Sequence, residues 1–163
     1  MKSLLIVWHS RTGAALAMAK AAQAGAAQEA EVQVRRLAAE AAGPKDLLGA
    51  EAYLFVCPEN LASMSGEMKA FFDRTYYPVL DRIQGRPYAA MIAAGSDGTG
   101  AARQIARIAL GWRLKAVAEP LIVCTHAQTP QAILAQKRLE DADLARCAEL
   151  GQTLAAGLAL GVF

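Results

Sequence analysis

Four short runs of almost unbroken apolar residues occur along the chain, at residues 4–8, 52–57, 88–94 and 121–124. Such runs are too short for buried helices. They are also too continuously apolar for strands that expose one face to solvent. They predict central parallel strands covered by helices on both sides. A fifth segment, VQVR at residues 32–35, alternates apolar and polar side chains, which is typical of a strand with less cover. We therefore place it at an edge of the sheet.

Helical patterns lie between these runs. Residues 14–26 are almost all strong helix formers, and apolar residues recur every three or four positions between residues 100 and 114. Residues 141–158 repeat this spacing, with Asp141 placed to cap the helix and glycines that predict a close approach to the sheet. Three prolines lie where helices should start or end, at Pro44, Pro78 and Pro130.

Strands that alternate with helices predict a parallel sheet with right-handed crossovers. Five strands in 163 residues fit the flavodoxin-like order 2-1-3-4-5, an α/β three-layer sandwich with a five-stranded parallel sheet and helices on both faces. No repeat, low-complexity tract or linker divides the chain, so residues 1–163 are predicted to form one domain. In such a sheet the loops after strands 1, 3 and 4 meet at the ligand-binding edge.

Charge and composition narrow the classes of partner. The formal net charge is +2, and no run of like charges is present that would bind nucleic acid or anionic lipid. We therefore expect a small-molecule partner, with no nucleic acid and no membrane insertion. The apolar run at residues 4–8 is shorter than a signal-peptide core, which predicts a cytoplasmic protein. A mean hydropathy of +0.22 predicts buried subunit contacts, as in a homodimer or homotetramer.

The loops that should meet at the binding edge are rich in glycine and hydroxyl residues. The first, HSRTG at residues 9–13, opens directly into a helix. Free amides and the positive end of the helix dipole favour an anion there, Ser10 and Thr12 add hydroxyl groups, and Gly13 leaves room. The loop predicts a phosphate site. A plain helix cap that binds nothing is the alternative.

The other two loops suit a flat heteroaromatic ring. The glycines of GSDGTG, at residues 95–100, permit positive φ and leave room for a ring plane, although an ordinary glycine turn is the alternative. In PENLASMSG, at residues 58–66, Glu59 and Asn60 offer hydrogen bonds to a ring edge. Leu61 of the same loop offers an apolar contact, as does the Met64 side chain.

Three stretches resemble the flavodoxin-like NAD(P)H-dependent FMN reductases and quinone reductases, and among these the tryptophan-repressor-binding-protein branch. They are SRTG at residues 10–13, MSGEMKAFFDRT at residues 64–75, and GSDGTG at residues 95–100. The second stretch is the most specific, and the resemblance covers residues 3–125. It implies FMN as the cofactor and NADH or NADPH as the electron donor.

By this resemblance, residues 10–15 hold the FMN phosphate, the second loop flanks the ring and the ribityl chain, and the third contacts the other side of the ring. The implied cofactor-binding residues are Ser10, Arg11, Thr12, Gly13, Ala14, Ala15, Pro58, Glu59, Asn60, Leu61, Ala62, Met64, Ser65, Gly95, Ser96, Asp97, Gly98, Thr99 and Gly100. The family usually has Asn or Gly and then Thr where this chain has Ala14 and Ala15. Backbone amides and the Arg11 charge would replace the missing hydroxyl. Leu61 stands near a position where relatives often place an aromatic residue.

The resemblance implies an oxidoreductase in which a hydride passes from a nicotinamide to flavin N5, and electrons then pass to a quinone or another small acceptor. No side chain need act as an acid or base, so neither a catalytic residue nor a metal site is predicted. A flavodoxin-type electron carrier is the alternative, although such carriers are usually strongly acidic. A flavin-free binding protein is the second alternative, favoured by Ala14 and Ala15.

The sequence disfavours a phosphate-accepting receiver domain and a cysteine-dependent phosphatase. A response-regulator receiver needs acidic residues after strand 1 and an Asp after strand 3, where this chain has His9 and Pro58. Cys57 ends the third strand, but no arginine follows at the spacing of the small phosphatases, so we predict that its thiol packs in the core. His126 follows the fifth strand near the binding edge and is expected to be a solvated loop residue, with contact to a phosphate or quinone oxygen as the alternative, and the same two interpretations apply to His9.

Overall fold

The computed structural model describes residues 1–163. Its strands are β1 (Lys2–Trp8), β2 (Val32–Ala38), β3 (Ala52–Asn60), β4 (Ser63–Met64), β5 (Pro87–Ala94), β6 (Lys115–Ala116) and β7 (Leu121–Cys124). Its helices are α1 (Ala14–Ala26), α2 (Pro44–Leu48), α3 (Gly66–Val79), α4 (Thr99–Gly111), α5 (Pro130–Leu134) and α6 (Asp141–Leu160).

The parallel strands follow the predicted order. β2, β1, β3 and β5 lie side by side, while β6 and β7 both pair with β5, at its beginning and its end. β6 and β7 are thus two pieces of one interrupted fifth strand. The order 2-1-3-4-5 is confirmed, although the sheet has seven strand segments instead of five. The remaining segment, β4, pairs antiparallel with the end of β3 as a short hairpin.

Three of the four apolar runs form central strands, and one does not. The interiors of β1, β3 and β5 are buried, as predicted, and β2 lies at an edge. The prediction that residues 121–124 form a central strand is wrong, because β7 pairs only with β5. Its side chains nevertheless contact apolar cores on both faces of the sheet. A continuous apolar run therefore indicates that both faces of the strand are buried, but it does not indicate that the strand has a paired strand on each side.

Helices cover both faces of the sheet. On one face, α2, α3 and α4 enclose an aromatic core in which the Phe55 and Phe72 ring centroids lie 5.1 Å apart. Trp112, the residue that follows α4, packs in the same core, with its ring centroid 5.6 Å from that of Phe72. On the other face, α1 and α6 cover a core of smaller aliphatic side chains. The predicted three-layer arrangement is confirmed.

Glycine lets α1 and α6 pack backbone against backbone. A Cβ on Gly151 would lie 2.0 Å from the Ala22 carbonyl oxygen, and one on Gly25 would lie 1.9 Å from the Ala148 carbonyl oxygen. The expectation that the α6 glycines approach the sheet is therefore wrong for Gly151, which approaches α1. This contact fixes α1, whose first turn carries the HSRTG loop.

The three prolines lie at helix ends as predicted, whereas α4 ends at Gly111, before the end of the pattern at residue 114. Pro44 and Pro130 are the first residues of α2 and α5, and α3 ends one residue after Pro78. Asp141 is not the cap of α6 but its first residue, because Glu140 occupies the N-cap position, without a side-chain hydrogen bond. None of the helices is both long enough and apolar enough to cross a bilayer.

Candidate functional site

A cleft of about 600 Å³ lies where the parallel strands end at their carboxyl termini. Clefts of roughly 300–1,000 Å³ hold most small-molecule ligands, so this one has the right size for a cofactor. More than half of the predicted site residues line it, namely Ser10, Arg11, Thr12, Ala14, Ala15, Pro58, Glu59, Asn60, Leu61, Gly95 and Ser96. The three loops therefore do converge on one cleft.

The backbone at the start of α1 presents unpaired donors. Between residues 11 and 16, five amides have no protein acceptor, those of Arg11, Thr12, Ala14, Ala15 and Leu16. The first turn of α1 contains no acidic side chain, and the Ser10 hydroxyl is engaged by the Gly13 amide at 3.1 Å. Free amides at the positive end of a helix dipole form a cradle for an anion. These donors fit a phosphate group such as that of FMN.

Gly13 contacts a residue from a distant part of the chain, Gln136. Its φ of 99° lies in the left-handed region that favours glycine. A Cβ at this position would lie 2.1 Å from Gln136 Nε2, because the Gln136 side chain packs directly on the glycine. Gly13 itself does not line the cleft, so its missing side chain makes room for Gln136 and not for an anion.

Arg11 connects the first loop to the second. Its Nη2 donates to Glu67 Oε2 at 3.0 Å. With the Asn60 amide oriented so that its oxygen faces Arg11, the arginine Nε donates to that oxygen at 3.3 Å. A hydrogen bond from the Glu67 backbone amide, followed by the charges of His9 and Arg11, lowers the pKa of Glu67 against the opposing effect of burial. The Arg11 charge is therefore already paired with a carboxylate.

His9 is not the solvated residue that was expected. It is 8% exposed, and its Nδ1 lies 2.8 Å from the hydroxyl oxygen of Ser65. Its Nε2 lies 3.5 Å from Glu67 Oε2, so the ring joins the end of β1 to the first turn of α3. The prediction is wrong because the ring packs against Ser65 and Glu67, which are distant in the sequence. His126, in contrast, is exposed as expected.

The second loop ends in a strained hairpin. Leu61 and Ala62 form the two-residue turn between β3 and β4, with φ values of 51° and 63°. Left-handed backbone costs a non-glycine residue about 1–3 kcal/mol, so the surrounding contacts must impose this conformation. Gln104 Oε1 provides one such contact, since it accepts a hydrogen bond from the Met64 amide at 2.8 Å. The turn holds the fully exposed Leu61 side chain at the mouth of the cleft.

Glu59 supports the third loop. Its Oε1 accepts a hydrogen bond from the Gly98 amide at 2.9 Å, and its Oε2 accepts one from the Ala101 amide at 3.0 Å. The carboxylate thus caps α4, and both of its oxygens are engaged before any ligand binds. Gly95 and Ser96 line the cleft, and their amides have no protein acceptor. They are better placed than Glu59 to bond a ring edge.

The remaining predicted residues lie outside the cleft lining and support it. Met64 and Ser65 are buried, and Asp97 accepts hydrogen bonds from the amide and the hydroxyl group of Thr99. The predicted residues that do not line the cleft are Gly13, Ala62, Met64, Ser65, Asp97, Gly98, Thr99 and Gly100. Their spacing in the sequence marked the loops correctly but did not separate the lining residues from their supports.

Sequence reasoning missed one wall of the cleft. The segment that follows β7 contributes lining residues, as does the end of β5. The additional lining residues are Ala93, Ala94, Thr125, Ala127, Gln128, Ile133, Leu134 and Lys137. The signal that could have found the segment after β7 is the rule applied to the other loops, because β7 also ends at this edge of the sheet.

The three cysteines differ in their surroundings. Cys57 is buried in the core as predicted, and burial raises its pKa to about 12. Burial also raises the pKa of Cys147, to about 11, whereas Cys124 is partly exposed.

We expect iodoacetamide at about pH 8 to modify one thiol of the native chain quickly, because the thiolate is the reactive form and the buried thiols stay protonated. Mass spectrometry of the labelled protein checks this. Cys124→Ser should remove the fast reaction, and a fast thiol that survives in this variant would contradict the assignment. Denaturant should expose all three thiols.

Sequence comparison points to flavin proteins. A family profile described as NADPH-dependent FMN reductase matches residues 44–129, just over half of the chain. A flavodoxin from Aquifex aeolicus (strain VF5) is 29% identical over 100 residues, which are 61% of this chain and 54% of that protein. The chain therefore spans about half the length of this curated relative.

Solved structures share the fold. A flavodoxin from the domain Archaea has a TM-score of 0.77 at 23% identity and covers 96% of this chain and 98% of its own. A WrbA-like flavodoxin from Agrobacterium tumefaciens has a TM-score of 0.71 at 20% identity, with 99% of each chain covered. The rubredoxin:oxygen oxidoreductase of Desulfovibrio gigas, at 16% identity, has a TM-score of 0.79 over 99% of this chain but 37% of its own. The flavodoxin-like fold and the match over residues 44–129 show that this chain belongs to the NADPH-dependent FMN reductase family.

Proposed function

We propose that this chain is an NAD(P)H-dependent oxidoreductase that passes electrons through FMN to a quinone or another small acceptor, as a member of the tryptophan-repressor-binding-protein-like branch. Membership of the family supports the flavin and the reductase activity. The observation that carries the proposal furthest is the set of five unpaired amides at the start of α1, in the same cleft as two loops that can flank a ring.

The first loop binds the phosphate in this proposal. The amides of residues 11, 12 and 14–16 donate to its oxygens, and the Thr12 hydroxyl group adds one side-chain donor. Ala14 and Ala15 contribute only backbone, so the hydroxyl that relatives carry here is replaced by amides that no other protein group uses. The positive end of the α1 dipole stabilises the added negative charge.

The other two loops orient the ring. Residues 58–61 flank one side of it, and the unpaired amides of Gly95 and Ser96 donate hydrogen bonds to its polar edge. The Leu61 side chain is exposed at the mouth of the cleft, where it contacts the acceptor and excludes water from that contact. When bound, FMN supplies the two-electron chemistry that connects a nicotinamide donor to the acceptor. The chain's own residues bind and orient the reactants, and none of them needs to exchange a proton.

A flavodoxin-type electron carrier is the second candidate, supported by the similarity to the Aquifex flavodoxin. The formal net charge of +2 favours the enzyme, because such carriers are usually acidic and dock on basic partners. We further propose that residues 1–163 act as one FMN-binding domain in the cytoplasm and that the domain forms a homodimer or homotetramer.

An anaerobic titration tests the proposal. The purified chain is saturated with FMN and mixed first with NADPH or NADH and then with benzoquinone, while the flavin absorption band is recorded. We expect the nicotinamide to bleach the band rapidly, benzoquinone to restore it, and the cycle to repeat for many turnovers. Dithionite is the control, since it bleaches bound flavin in either an enzyme or a carrier.

The outcomes separate the candidates. Bleaching by dithionite but not by either nicotinamide would identify a carrier and overturn the enzyme. A colourless protein that does not bind added FMN would overturn both, and would favour the flavin-free binding protein that Ala14 and Ala15 left open.

A further inference from the structure

Lys137 brings an ammonium group to the first loop from a distant part of the sequence. It follows α5, and its backbone amide donates to the Thr12 carbonyl oxygen at 2.7 Å. Its Nζ lies 3.4 Å from Thr12 Oγ1 and donates to the carbonyl oxygens of Ile133, at 2.7 Å, and Ala135, at 2.6 Å. Lys137 is therefore held both at its backbone amide and at its ammonium group, unlike a freely moving surface lysine.

The charge of Lys137 is not neutralised by the protein. The lysine forms no salt bridge, whereas Arg11, the other cation of the cleft, pairs with Glu67 at 3.0 Å. The first turn of α1 has no acidic side chain to offset either charge. An ammonium group beside the positive end of a helix dipole raises the positive potential in the absence of a ligand, and a bound anion would relieve it.

The place of Lys137 also matches the unpaired amides. Thr12 contacts Lys137 through its carbonyl oxygen and its hydroxyl group, while its own amide is one of the five without an acceptor. Gln136, the preceding residue, packs on Gly13. The segment after α5 is thus attached to the phosphate loop itself, and Lys137 lines the same cleft as Ser10, Thr12 and Ala15.

We propose that Lys137 is a phosphate-binding residue that completes this site and makes it selective for a flavin phosphate monoester over an unphosphorylated flavin. The inference rests on the proposed function, because it takes the phosphate to lie at the first loop. The three N–H donors of the ammonium group already have acceptors, and the longest of these contacts, 3.4 Å to Thr12 Oγ1, is the one that a phosphate oxygen would replace. The resulting charge-assisted hydrogen bond would take the place of the hydroxyl group that Ala15 lacks.

Paired titrations with FMN and riboflavin test this on the full chain. Binding is followed by quenching of flavin fluorescence for the wild type, Lys137→Gln, Lys137→Arg and the neighbouring Arg138→Gln. We expect Lys137→Gln to weaken FMN binding by roughly 10- to 100-fold and to leave riboflavin binding unchanged. Lys137→Arg should keep most of the FMN affinity. Arg138→Gln removes the same charge from an exposed side chain and should change neither affinity.

Ionic strength gives a readout that a purely structural lysine would not move. Added salt should weaken FMN binding to the wild type more steeply than FMN binding to Lys137→Gln, because one screened attraction is already absent from the variant. Lys137→Arg keeps the cation, so FMN binding to it should show the same salt dependence as binding to the wild type. A weaker salt dependence in Lys137→Arg would contradict the inference even if Lys137→Gln does not fold.

Three results would overturn the inference. Unchanged FMN affinity in Lys137→Gln would show that the lysine does not touch the phosphate, and would leave the proposed function standing. Equal losses for FMN and riboflavin would assign Lys137 a structural role in holding α5. A wild-type chain that binds neither flavin would remove the proposed function, and this inference with it.

Discussion

Replacing Thr12 by aspartate should weaken FMN binding at least about a hundredfold while making the chain without cofactor more stable. The new carboxylate would lie near the unpaired amides of α1 and the Lys137 ammonium group. A negative charge at a helix N-terminus stabilises the fold by about 0.3–1 kcal/mol. The same charge repels the phosphate and occupies its donors. Fluorescence titration with FMN and a thermal melt of the cofactor-free protein measure the two effects.

Thr12→Val is the matched control, because it keeps the shape of the side chain and removes only the hydroxyl group. It should cost no more than about tenfold in FMN affinity and leave riboflavin binding unchanged. FMN affinity that is the same in Thr12→Asp as in the wild type would show that the phosphate binds elsewhere. A drop in FMN affinity accompanied by unfolding would contradict the expected gain in stability.

Gly151→Ala should lower the free energy of unfolding by about 1–3 kcal/mol, the usual cost of overpacking a tight contact. The added Cβ would lie 2.0 Å from the Ala22 carbonyl oxygen, which is backbone and cannot move unless α1 moves with it. Urea denaturation followed by circular dichroism measures the change. FMN affinity should fall as well, since a displaced α1 carries the unpaired amides away from the cleft.

Gly66→Ala is the control for the glycine itself. Gly66 is the first residue of α3, and a Cβ there would meet no atom within 4 Å. The substitution should therefore be neutral or stabilising by up to about 1 kcal/mol, because it restricts the unfolded chain. If Gly151→Ala and Gly66→Ala behaved alike, the α1–α6 contact would be looser than its geometry indicates.

The fold could be predicted because its signals are local. Continuous apolar runs and helix-forming segments alternate along the chain, and the structure confirms the order 2-1-3-4-5. The error at residues 121–124 has a physical cause, since side chains of β7 join the apolar cores on both faces of the sheet although the strand lies at the edge. The interruption that separates β6 from β7 depends on how the chain meets β5, which no local pattern encodes.

The site was predictable as loops but not as side chains. The rule that ligands bind at the carboxyl ends of parallel strands located Thr12, Asn60 and Ser96 in one cleft. The engagement of Glu59 with α4 depends on distances between elements far apart in the chain, and so does the burial of His9 against Ser65. Lys137 lies beyond α5, and its place beside Thr12 depends on contacts between residues 125 positions apart, which no local pattern encodes.

The turn at Leu61 and Ala62 makes the mouth of the cleft tolerant of substitution. Both residues have a left-handed backbone conformation that glycine or asparagine adopts at lower cost. Some substitutions at these positions should therefore stabilise the fold by relieving backbone strain. Core positions such as Phe55 have no such strain to relieve. A library randomised at these two positions should therefore return folded variants at an unusually high rate.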